Sequence, residues 1–400
     1  MQFIDATVRA ALIGLATAIT LSFGTGTTLA QQSPGVTDKE VKFGAWIPLT
    51  GAIAVNGVPQ RAGTEAYLNM INDRGGIKGR RLSVVIDDNA YNPQRTVAAA
   101  RKLITRDEVF AILVPNGTAQ SAAAFDYVLG EARVPLLNIY GGAAEWYSPP
   151  RANLYGTLAP LEHQARTLGR WAGKDGHKKV IVVHSAISIY EGVAKMIAPA
   201  MKAVRPDADV ELYPTKFDTA DYAPIALDIA RKKPDALVFI LAQGEIIRIS
   251  KELASQGFKS ENYTWAPSVA NGLLELGGPV VNGLKSVSWT LPLTPDTPAI
   301  KEYRDALAKY FPSEKPDYIS FTSFGLTKIV VEALRRIDGP ITREALTRSM
   351  ESLKNYETGI VPAVTFGADR HLGGTSLQRV VVQSGNWVGV GAPVDSEKDW

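Results

Sequence analysis

Histidine, cysteine and paired acids build most catalytic and metal sites, and this sequence uses them sparingly. Cysteine is absent, and the four histidines are His163, His177, His184 and His371. None of them stands in an H-E-x-x-H pattern or beside clustered carboxylates, so we expect no bound transition metal. Ser185 follows His184, but neighbours on an extended strand point to opposite faces, which argues against a nucleophile–base pair.

Motifs that would identify an enzyme are also missing. The sequence contains no G-x-S-x-G turn for a nucleophilic serine and no G-x-x-x-x-G-K-[ST] loop for a nucleoside triphosphate. The run GGIKG closes a predicted helix, whereas a dinucleotide-binding loop would open one. Asp87 and Asp88 follow a predicted strand and could act as an acid–base pair, although such pairs more often cap a turn. The pattern predicts a protein that is not an enzyme and needs no cofactor.

The start of the chain predicts export. The stretch from Ala10 to Phe23 is apolar but too short to span a membrane comfortably, and small residues ending at Ala30 follow it. We therefore expect residues 1–30 to be a signal peptide and the mature chain to reach the periplasm. Without cysteine, it has no site for an N-terminal lipid anchor.

The composition is that of an ordinary globular protein. Of the 400 residues, 46% are hydrophobic and 21% are charged, with a formal net charge of +3. Basic and acidic residues are interspersed, so no basic stripe for nucleic acid is expected. A chain of this length exceeds one typical core, which predicts two domains.

Apolar runs alternate with amphipathic helical patterns along two stretches of similar length. The predicted strands are VKFGAWIPL, RLSVVIDD, FAILV and VPLLNIY in the first stretch, and KKVIVVHS, DVELYPTKF, DALVFILA and NYTWAPSV in the second. Such runs predict parallel sheets covered by helices on both faces. We therefore expect an α/β protein with two doubly wound lobes.

One predicted strand leads into a turn suited to binding an anion. In VFAILVPNGTAQSAAAF, the apolar run from Val109 breaks at Pro115, and a polar turn precedes an Ala-rich helix. Free backbone N–H groups at such a helix start point at a bound anion. The carboxyl ends of the predicted strands, where ligands of open α/β sheets bind, carry amides, hydroxyls and aromatic rings with scarcely any charge. That composition favours binding of a small molecule over its conversion.

Several motifs match one known family. PLTG, INDRGGIKGR and DDNAYNP occur at family-typical spacings, and the likeness continues through GTAQS, SIYEGVAK and KSVSWTLP over nearly all of the mature chain. On these motifs the sequence resembles the periplasmic branched-chain amino-acid-binding proteins of ABC importers. The resemblance implies the type I periplasmic-binding-protein fold, with two doubly wound parallel-sheet lobes that are joined by three crossings and close on the ligand. It also implies a membrane permease as partner, and we expect a monomer that binds no nucleic acid.

The three crossings set the expected domain boundaries. They place lobe 1 at residues 39–158 and 291–362, lobe 2 at residues 159–290 and 363–391, and a solvated tail at residues 392–400. Within lobe 2, Gly373 and Gly374 are predicted to form a hairpin turn.

The resemblance also implies which residues hold the ligand. Thr118 matches a position whose hydroxyl and amide bind a carboxylate. Gly142 and Ala144 match a second loop that supplies a carbonyl and further donors, and Tyr190 matches an aromatic residue that closes over the ligand. The full predicted set is Trp46, Asn56, Asn116, Gly117, Thr118, Gly142, Ala143, Ala144, Tyr190, Gln243, Ser268 and Tyr318.

Departures from the family pattern change the expected ligand. Ser268 stands where the amino-acid binders use a glutamate for the ligand's ammonium, and Ala144 replaces a usual Ser or Thr. Gln243 and Asn56 occupy positions where aromatic residues often lie. A buried ammonium without a carboxylate partner is costly. The sequence around PNGTAQS and GGAAEW looks more like relatives that take up aromatic carboxylates.

We therefore predict a small carboxylate ligand without an ammonium, aromatic in character and stacked on Tyr190. Trp46 or Tyr318 is expected nearby, with ordinary core packing as the alternative for both. The alternative functions are a receptor for branched-chain or other amino acids, a ligand-sensing regulator, and an exported hydrolase.

Overall fold

The computed structural model describes residues 33–217, 219–294 and 296–398. The predicted signal peptide, residues 1–30, lies outside the described residues. Within the described part of the chain, no helix combines the length and the apolar character needed to cross a membrane.

The first sheet contains five parallel strands. They are β1 (Glu40–Ile47), β2 (Arg81–Asp88), β3 (Ile112–Leu113), β4 (Leu136–Leu137) and β5 (Leu154–Tyr155). Their order is β2-β1-β3-β4-β5. β1 and β2 pair along their whole length, from Glu40 with Arg81 to Ile47 with Asp88. All neighbours are parallel, so the carboxyl ends of the strands lie along one edge.

The second sheet is mixed. Its strands are β6 (Lys179–Ser185), β7 (Asp209–Thr215), β8 (Ala236–Ile240), β9 (Glu261–Thr264), β10 (Lys285–Ser288), β11 (Ser376–Gln383) and β12 (Asn386–Gly389), with β13 (Val394–Asp395) paired to β11. The order is β12-β11-β10-β9-β8-β6-β7. β6 to β10 are parallel, whereas β11 and β12 add an antiparallel edge. All five residues of β8 are buried, as expected for a parallel strand covered on both faces.

Helices cover both sheets. They are α1 (Ala54–Asp73), α2 (Pro93–Thr105), α3 (Thr118–Phe125), α4 (Leu161–Lys174), α5 (Ser188–Lys195), α6 (Ile197–Lys202), α7 (Ala223–Lys232), α8 (Gln243–Ser255), α9 (Asn271–Gly277), α10 (Pro298–Tyr310), α11 (Tyr318–Arg335) and α12 (Arg343–Glu351). Their starts follow local chemistry: Asn92 accepts a hydrogen bond from Arg95 N at 2.9 Å, and Pro93 opens α2. α1 packs closely against α11 because Gly63 has no side chain. A Cβ at this position would overlap the carbonyl oxygen of Ser320.

This architecture confirms the predicted α/β fold with two parallel-sheet arrays, while the lobe boundaries stay a prediction. Two local expectations near the C-terminus are wrong. The hairpin between β11 and β12 turns at Ser384 and Gly385, both with positive φ, and not at Gly373. Gly373 is instead a packing glycine, since a side chain there would overlap the ring of Phe366. Residues 392–398 are not a solvated tail either: β13 pairs with β11, and Ser396 is buried with its hydroxyl 2.9 Å from His163 Nδ1.

Candidate functional site

A cavity of about 90 Å³ lies at the carboxyl ends of the strands. One wall comes from α1 and from the residues that follow β2, β3 and β4, and the other from the residues that follow β6, β8, β9 and β10. Its lining combines the polar residues Asn56, Asn116, Thr118, Gln243 and Ser268, the aromatic residues Tyr91, Tyr140, Tyr190, Trp265 and Trp289, and the small or apolar residues Ala52, Ile53, Val55, Gly117, Gly141, Leu161, Ile189, Leu241, Ala242, Gly244 and Pro267. This is the location expected for a ligand of an open α/β sheet.

The lining carries no formal charge. Among the residues that the structure describes, none that lines the cavity is an Asp, Glu, Lys, Arg or His. The buried Glu245 lies two residues beyond Gln243 on α8, outside the lining. Its carboxylate accepts hydrogen bonds from Ser185 Oγ at 2.7 Å and from Tyr222 at 2.9 Å. The cavity therefore offers dipoles and hydroxyls as its polar contacts.

The start of α3 supplies hydrogen-bond donors to one end of the cavity. Gly117, with φ of +100°, turns the chain from β3 into the helix, and Thr118 is its first residue. The N–H groups of Thr118 and Ala119 belong to the first helical turn, where no carbonyl of the same helix can accept them. Thr118 Oγ1 accepts a hydrogen bond from Gly142 N at 3.1 Å, which leaves its own proton available for a ligand. Together these groups form a neutral cradle for an anion.

The loop after β4 packs against this cradle. Gly141 lines the cavity with φ of +133°, and a Cβ on it would lie 2.7 Å from Thr118 Oγ1. Two backbone amides of this loop already have protein acceptors: Gly142 N donates to Thr118, and Ala144 N donates to Glu162 at 3.1 Å. This loop therefore positions the threonine, and the predicted ligand contacts of Gly142, Ala143 and Ala144 are not seen at the cavity.

Aromatic rings form much of the apolar surface. Tyr190 meets Trp265 edge-on at a centroid distance of 4.7 Å, and Tyr140 meets Trp289 edge-on at 5.3 Å. The indole of Trp265 donates to Leu241 O and that of Trp289 to Ala159 O, both at 3.0 Å. Since both indole N–H groups have protein acceptors, the tryptophans present apolar surface to the cavity.

Contacts outside the aromatic cluster also join the walls. Gln243 Nε2 donates to Asn56 Oδ1 at 2.8 Å, which connects α8 to α1. Asn271 N, at the start of α9, donates to Asp317 Oδ2 at 2.5 Å, just before α11. Burial raises the pKa of Asp317 to about 6, against the smaller opposing effect of its backbone hydrogen bonds. The walls are thus held together around the cavity.

The structure brings seven of the predicted site residues together at the cavity and leaves five outside its lining. Those that line it are Asn56, Asn116, Gly117, Thr118, Tyr190, Gln243 and Ser268. Asn116 has mainly a structural role, because its Nδ2 donates a hydrogen bond to the buried Gln60 at 2.5 Å. Ser268 is buried, and its hydroxyl oxygen lies 3.3 Å from Thr264 Oγ1.

Trp46 and Tyr318 belong to the core, in agreement with the alternative of ordinary core packing. Trp46 is fully buried beneath α3 and donates its indole N–H to Ser121 Oγ at 3.2 Å. The Tyr318 hydroxyl accepts from Leu293 N and donates to Trp387 O, both at 3.2 Å. Large rings at strand ends and helix starts pack inward as readily as toward a ligand, and the sequence pattern does not separate the two outcomes.

Sequence reasoning missed four aromatic residues of the lining: Tyr91, Tyr140, Trp265 and Trp289. Tyr140 and Trp265 belong to the predicted strands VPLLNIY and NYTWAPSV, so position near a strand end was the usable signal for them. Trp289 follows β10, which was not predicted. Tyr91 lay inside DDNAYNP, which was interpreted only as a cap and a family motif. It adopts φ of +55°, rare for a residue with a side chain, and Ala90 before it adopts +44°.

The residue pairs that the sequence analysis considered for catalysis have structural roles. Asp88 caps the turn after β2 by accepting from Leu49 N at 2.8 Å and Ala90 N at 2.9 Å, so the predicted cap is confirmed. His184 Nδ1 lies 3.1 Å from the carbonyl oxygen of Ser185, while the Ser185 hydroxyl donates to Glu245. The serine and the histidine are therefore not a catalytic pair.

One cluster of possible metal ligands lies away from the cavity, where β9 and β10 begin. Asp175, His177 and Glu261 place ligand atoms within 4.8 Å of one another. Lys285 Nζ lies 2.7 Å from Asp175 and 2.5 Å from Glu261. The ammonium group supplies the positive charge that balances these acids.

Comparison with known proteins agrees with this architecture. A family model described as periplasmic binding protein matches residues 40–386. The chain is 25% identical over 301 residues to Leu/Ile/Val-binding protein homolog 1 of Brucella melitensis, covering 73% of this chain and 76% of that protein.

Solved structures show the same fold. A branched-chain amino acid ABC transporter protein of Thermus thermophilus, solved with bound valine, superposes with a TM-score of 0.81 at 18% identity, over 90% of this chain and 97% of that one. A fatty acid ABC transporter substrate-binding protein of Thermomonospora curvata superposes with a TM-score of 0.78 at 23% identity, over 92% and 95%. The fold, the cavity at the strand ends and the family match lead to one assignment: the chain belongs to the periplasmic binding protein family.

Proposed function

We propose that this protein is the solute-binding receptor of an ABC importer and that it captures a small aromatic carboxylate without an ammonium group. The observation that carries the ligand class is the uncharged lining, with the donors of α3 at one end and no acidic side chain among the described lining residues. A carboxylate finds hydrogen-bond donors there. A zwitterion would bury an ammonium group without a charged partner, at substantial cost in free energy.

Ser268 supports this proposal through the contact it makes. Its hydroxyl bonds Thr264, and a serine cannot neutralise a cation. Glu245, which directly follows the lining residue Gly244, is engaged by hydroxyl and amide donors. An amino-acid ligand would therefore need a rearrangement of this wall.

The cavity size restricts the ligand further. A volume of about 90 Å³ favours a compact ligand over an extended one. We therefore favour a ligand of the size of benzoate over a long-chain fatty acid. The edge-on pairs Tyr190–Trp265 and Tyr140–Trp289 supply apolar and aromatic contacts for a ring.

Closure of the walls is the proposed transport signal. A ligand that contacts both walls favours the closed arrangement, in which Gln243 bonds Asn56, and the permease then distinguishes closed from open. In this proposal the protein acts as a monomer in the periplasm after removal of residues 1–30, with lobes at residues 39–158 plus 291–362 and 159–290 plus 363–391. It contributes no catalysis.

Calorimetry on the mature chain tests the ligand class. The panel is benzoate, cyclohexanecarboxylate, benzamide, leucine, valine and decanoate, each also followed by thermal shift because a ligand that binds the native state raises the melting temperature. We expect benzoate to bind most tightly, with benzamide weaker because it lacks the charge. Leucine or valine binding more tightly than benzoate would refute the proposed ligand and favour an amino-acid receptor.

A further inference from the structure

A surface groove adjoins the ligand cavity. Its volume is about 530 Å³, against about 90 Å³ for the cavity. Val55 of α1 and Gln243 of α8 line both spaces. The remaining walls of the groove come from the first turns of α1, the start of α9 and the segment before α11. The cavity therefore continues into the groove at Val55 and Gln243.

A contact between side chains stands where the two spaces meet. Gln243 Nε2 donates to Asn56 Oδ1 at 2.8 Å and to Pro267 O at 3.4 Å. The amide oxygen of the same side chain faces the groove, since a Cβ on the groove residue Gly272 would lie 3.5 Å from it. Rotation of the glutamine side chain exchanges neutral hydrogen bonds to protein for bonds to water, and the net cost of such an exchange is small. The junction can therefore open without a shift of the backbone.

The α1 side of the groove is apolar although it is exposed. Val55 is 60% exposed and Val58 is 41% exposed. The two valines are three positions apart on one helix, so they share a face. Ala270 adds apolar surface from the start of α9. Contiguous exposed apolar surface in a groove is typical of a binding site.

The charges of the groove disfavour an anion. Glu275, Glu314 and Asp317 line it together with one cation, Lys315. Lys315 Nζ lies 3.1 Å from Glu275 Oε1, so its charge is balanced within the protein. A second carboxylate would meet like charge here, whereas an uncharged apolar group would meet the valines without this penalty.

The anion cradle directs a ligand toward this junction. A carboxylate held by the first turn of α3 carries the rest of its molecule away from that helix and toward the opposite wall, to which Gln243 belongs. We infer that the groove is a second subsite, which binds an uncharged apolar substituent at the far end of the ligand. The substituent passes between Val55 and Gln243 and packs on Val58. This inference rests on the proposed carboxylate-binding function and deepens it, because it makes benzoates with a short 4-alkyl chain the preferred ligands.

A ligand series on the parent protein tests the subsite. Calorimetry compares benzoate with its 4-methyl, 4-ethyl, 4-propyl and 4-butyl derivatives. A methylene group that is fully removed from water improves the dissociation constant about fourfold. Because the groove is open to solvent, we expect about half of this free-energy gain, which is about twofold per added carbon and about tenfold from 4-methylbenzoate to 4-butylbenzoate. A matched ligand with a charged end, 4-(3-carboxypropyl)benzoate, should bind no more tightly than 4-methylbenzoate.

A variant of the groove locates the chain. Val58→Ser removes apolar surface from the groove, and Val58 is not among the described residues that line the cavity. Leu227→Ser is the matched control, because Leu227 is 43% exposed and lies on α7, outside both spaces. Melting temperatures confirm folding. We expect Val58→Ser to bind benzoate as the parent does but to reduce the gain from 4-methyl to 4-butyl from about tenfold to about threefold, since part of the apolar contact is lost. Leu227→Ser should keep the whole gain.

Two results would overturn the inference. One is a parent protein that binds benzoate but binds 4-butylbenzoate no more tightly than 4-methylbenzoate. The other is a folded Val58→Ser variant that retains the full gain, because the chain would then lie elsewhere. Failure of the proposed ligand gives a different result, in which leucine binds and benzoate does not. Norvaline, norleucine and 2-aminooctanoate then replace the benzoates, and the gain along that series and its reduction in Val58→Ser support or refute the subsite in the same way.

Discussion

Removing the hydroxyl of Thr118 is the most direct perturbation of the anion cradle. Thr118→Ala deletes an oxygen that accepts from Gly142 N at 3.1 Å and whose proton is available to the ligand. The two losses act on different quantities. The orphaned Gly142 N–H is present with and without ligand, so it lowers the free energy of unfolding, by about 1–3 kcal/mol if it stays buried.

The lost donor changes affinity. A hydrogen bond from a hydroxyl to a carboxylate contributes about 1.5–3 kcal/mol, which corresponds to a rise of about ten- to 150-fold in the dissociation constant. Calorimetry with benzoate measures this rise, and urea unfolding measures the stability change. Thr118→Ser is the matched control, because it keeps the hydroxyl and should retain most of the affinity.

The outcome that would refute this reasoning is specific. If Thr118→Ala is less stable than the parent but binds benzoate equally well, the hydroxyl only positions the loop after β4. The carboxylate would then be held by backbone amides alone or lie elsewhere in the cavity.

Four further predictions test other parts of the site. Ser268→Glu should weaken benzoate binding and create affinity for leucine, since it adds an acid for an ammonium; calorimetry that shows neither change would remove Ser268 from the ligand's surroundings. Gly141→Ala should lower the melting temperature and the benzoate affinity more than Gly176→Ala does. Both glycines have positive φ, but only at Gly141 would a Cβ lie 2.7 Å from another atom, Thr118 Oγ1. Equal losses in the two variants would contradict this close approach. Gln243→Ala should accelerate release of every ligand by about two- to tenfold, the scale of one neutral hydrogen bond, and an unchanged stopped-flow rate would show that this contact does not hold the walls. Burial raises the folded-state pKa of Asp317 to about 6, above its unfolded value, so its contribution to stability is greatest below about pH 4 and is lost as the pH rises to 6. Asp317→Asn should abolish this loss of about 3 kcal/mol in urea titrations between pH 4 and 7, and parallel pH profiles for parent and variant would contradict the assignment.

The sequence was a good guide wherever a periodic pattern repeats over many residues. The apolar run that contains β8 was predicted because burial on two faces leaves a continuous local signal. The strand–turn–helix around Thr118 was predicted for the same reason, since its donors come from the helix start itself.

What the sequence did not reveal depends on contacts between distant segments. The amides of Gly142 and Ala144 were expected at the ligand, but each is taken by a partner that only the fold brings near, Thr118 and Glu162. Tyr91 reaches the cavity through two consecutive residues with positive φ, a conformation that neither residue type favours. Trp46 looked like a ligand contact by position, and its burial under α3 is a property of the packed layer.

The pairing of β10 with β11 has a consequence for synthesis. Almost ninety positions separate Ser288 from Ser376, and α10, α11 and α12 are inserted between them. Until the ribosome has produced β11, the backbone of β10 has an unpaired edge, and exposed edges invite pairing with other chains. The second sheet is therefore completed only after α10, α11 and α12 have been made, and the nascent chain stays incompletely folded until then.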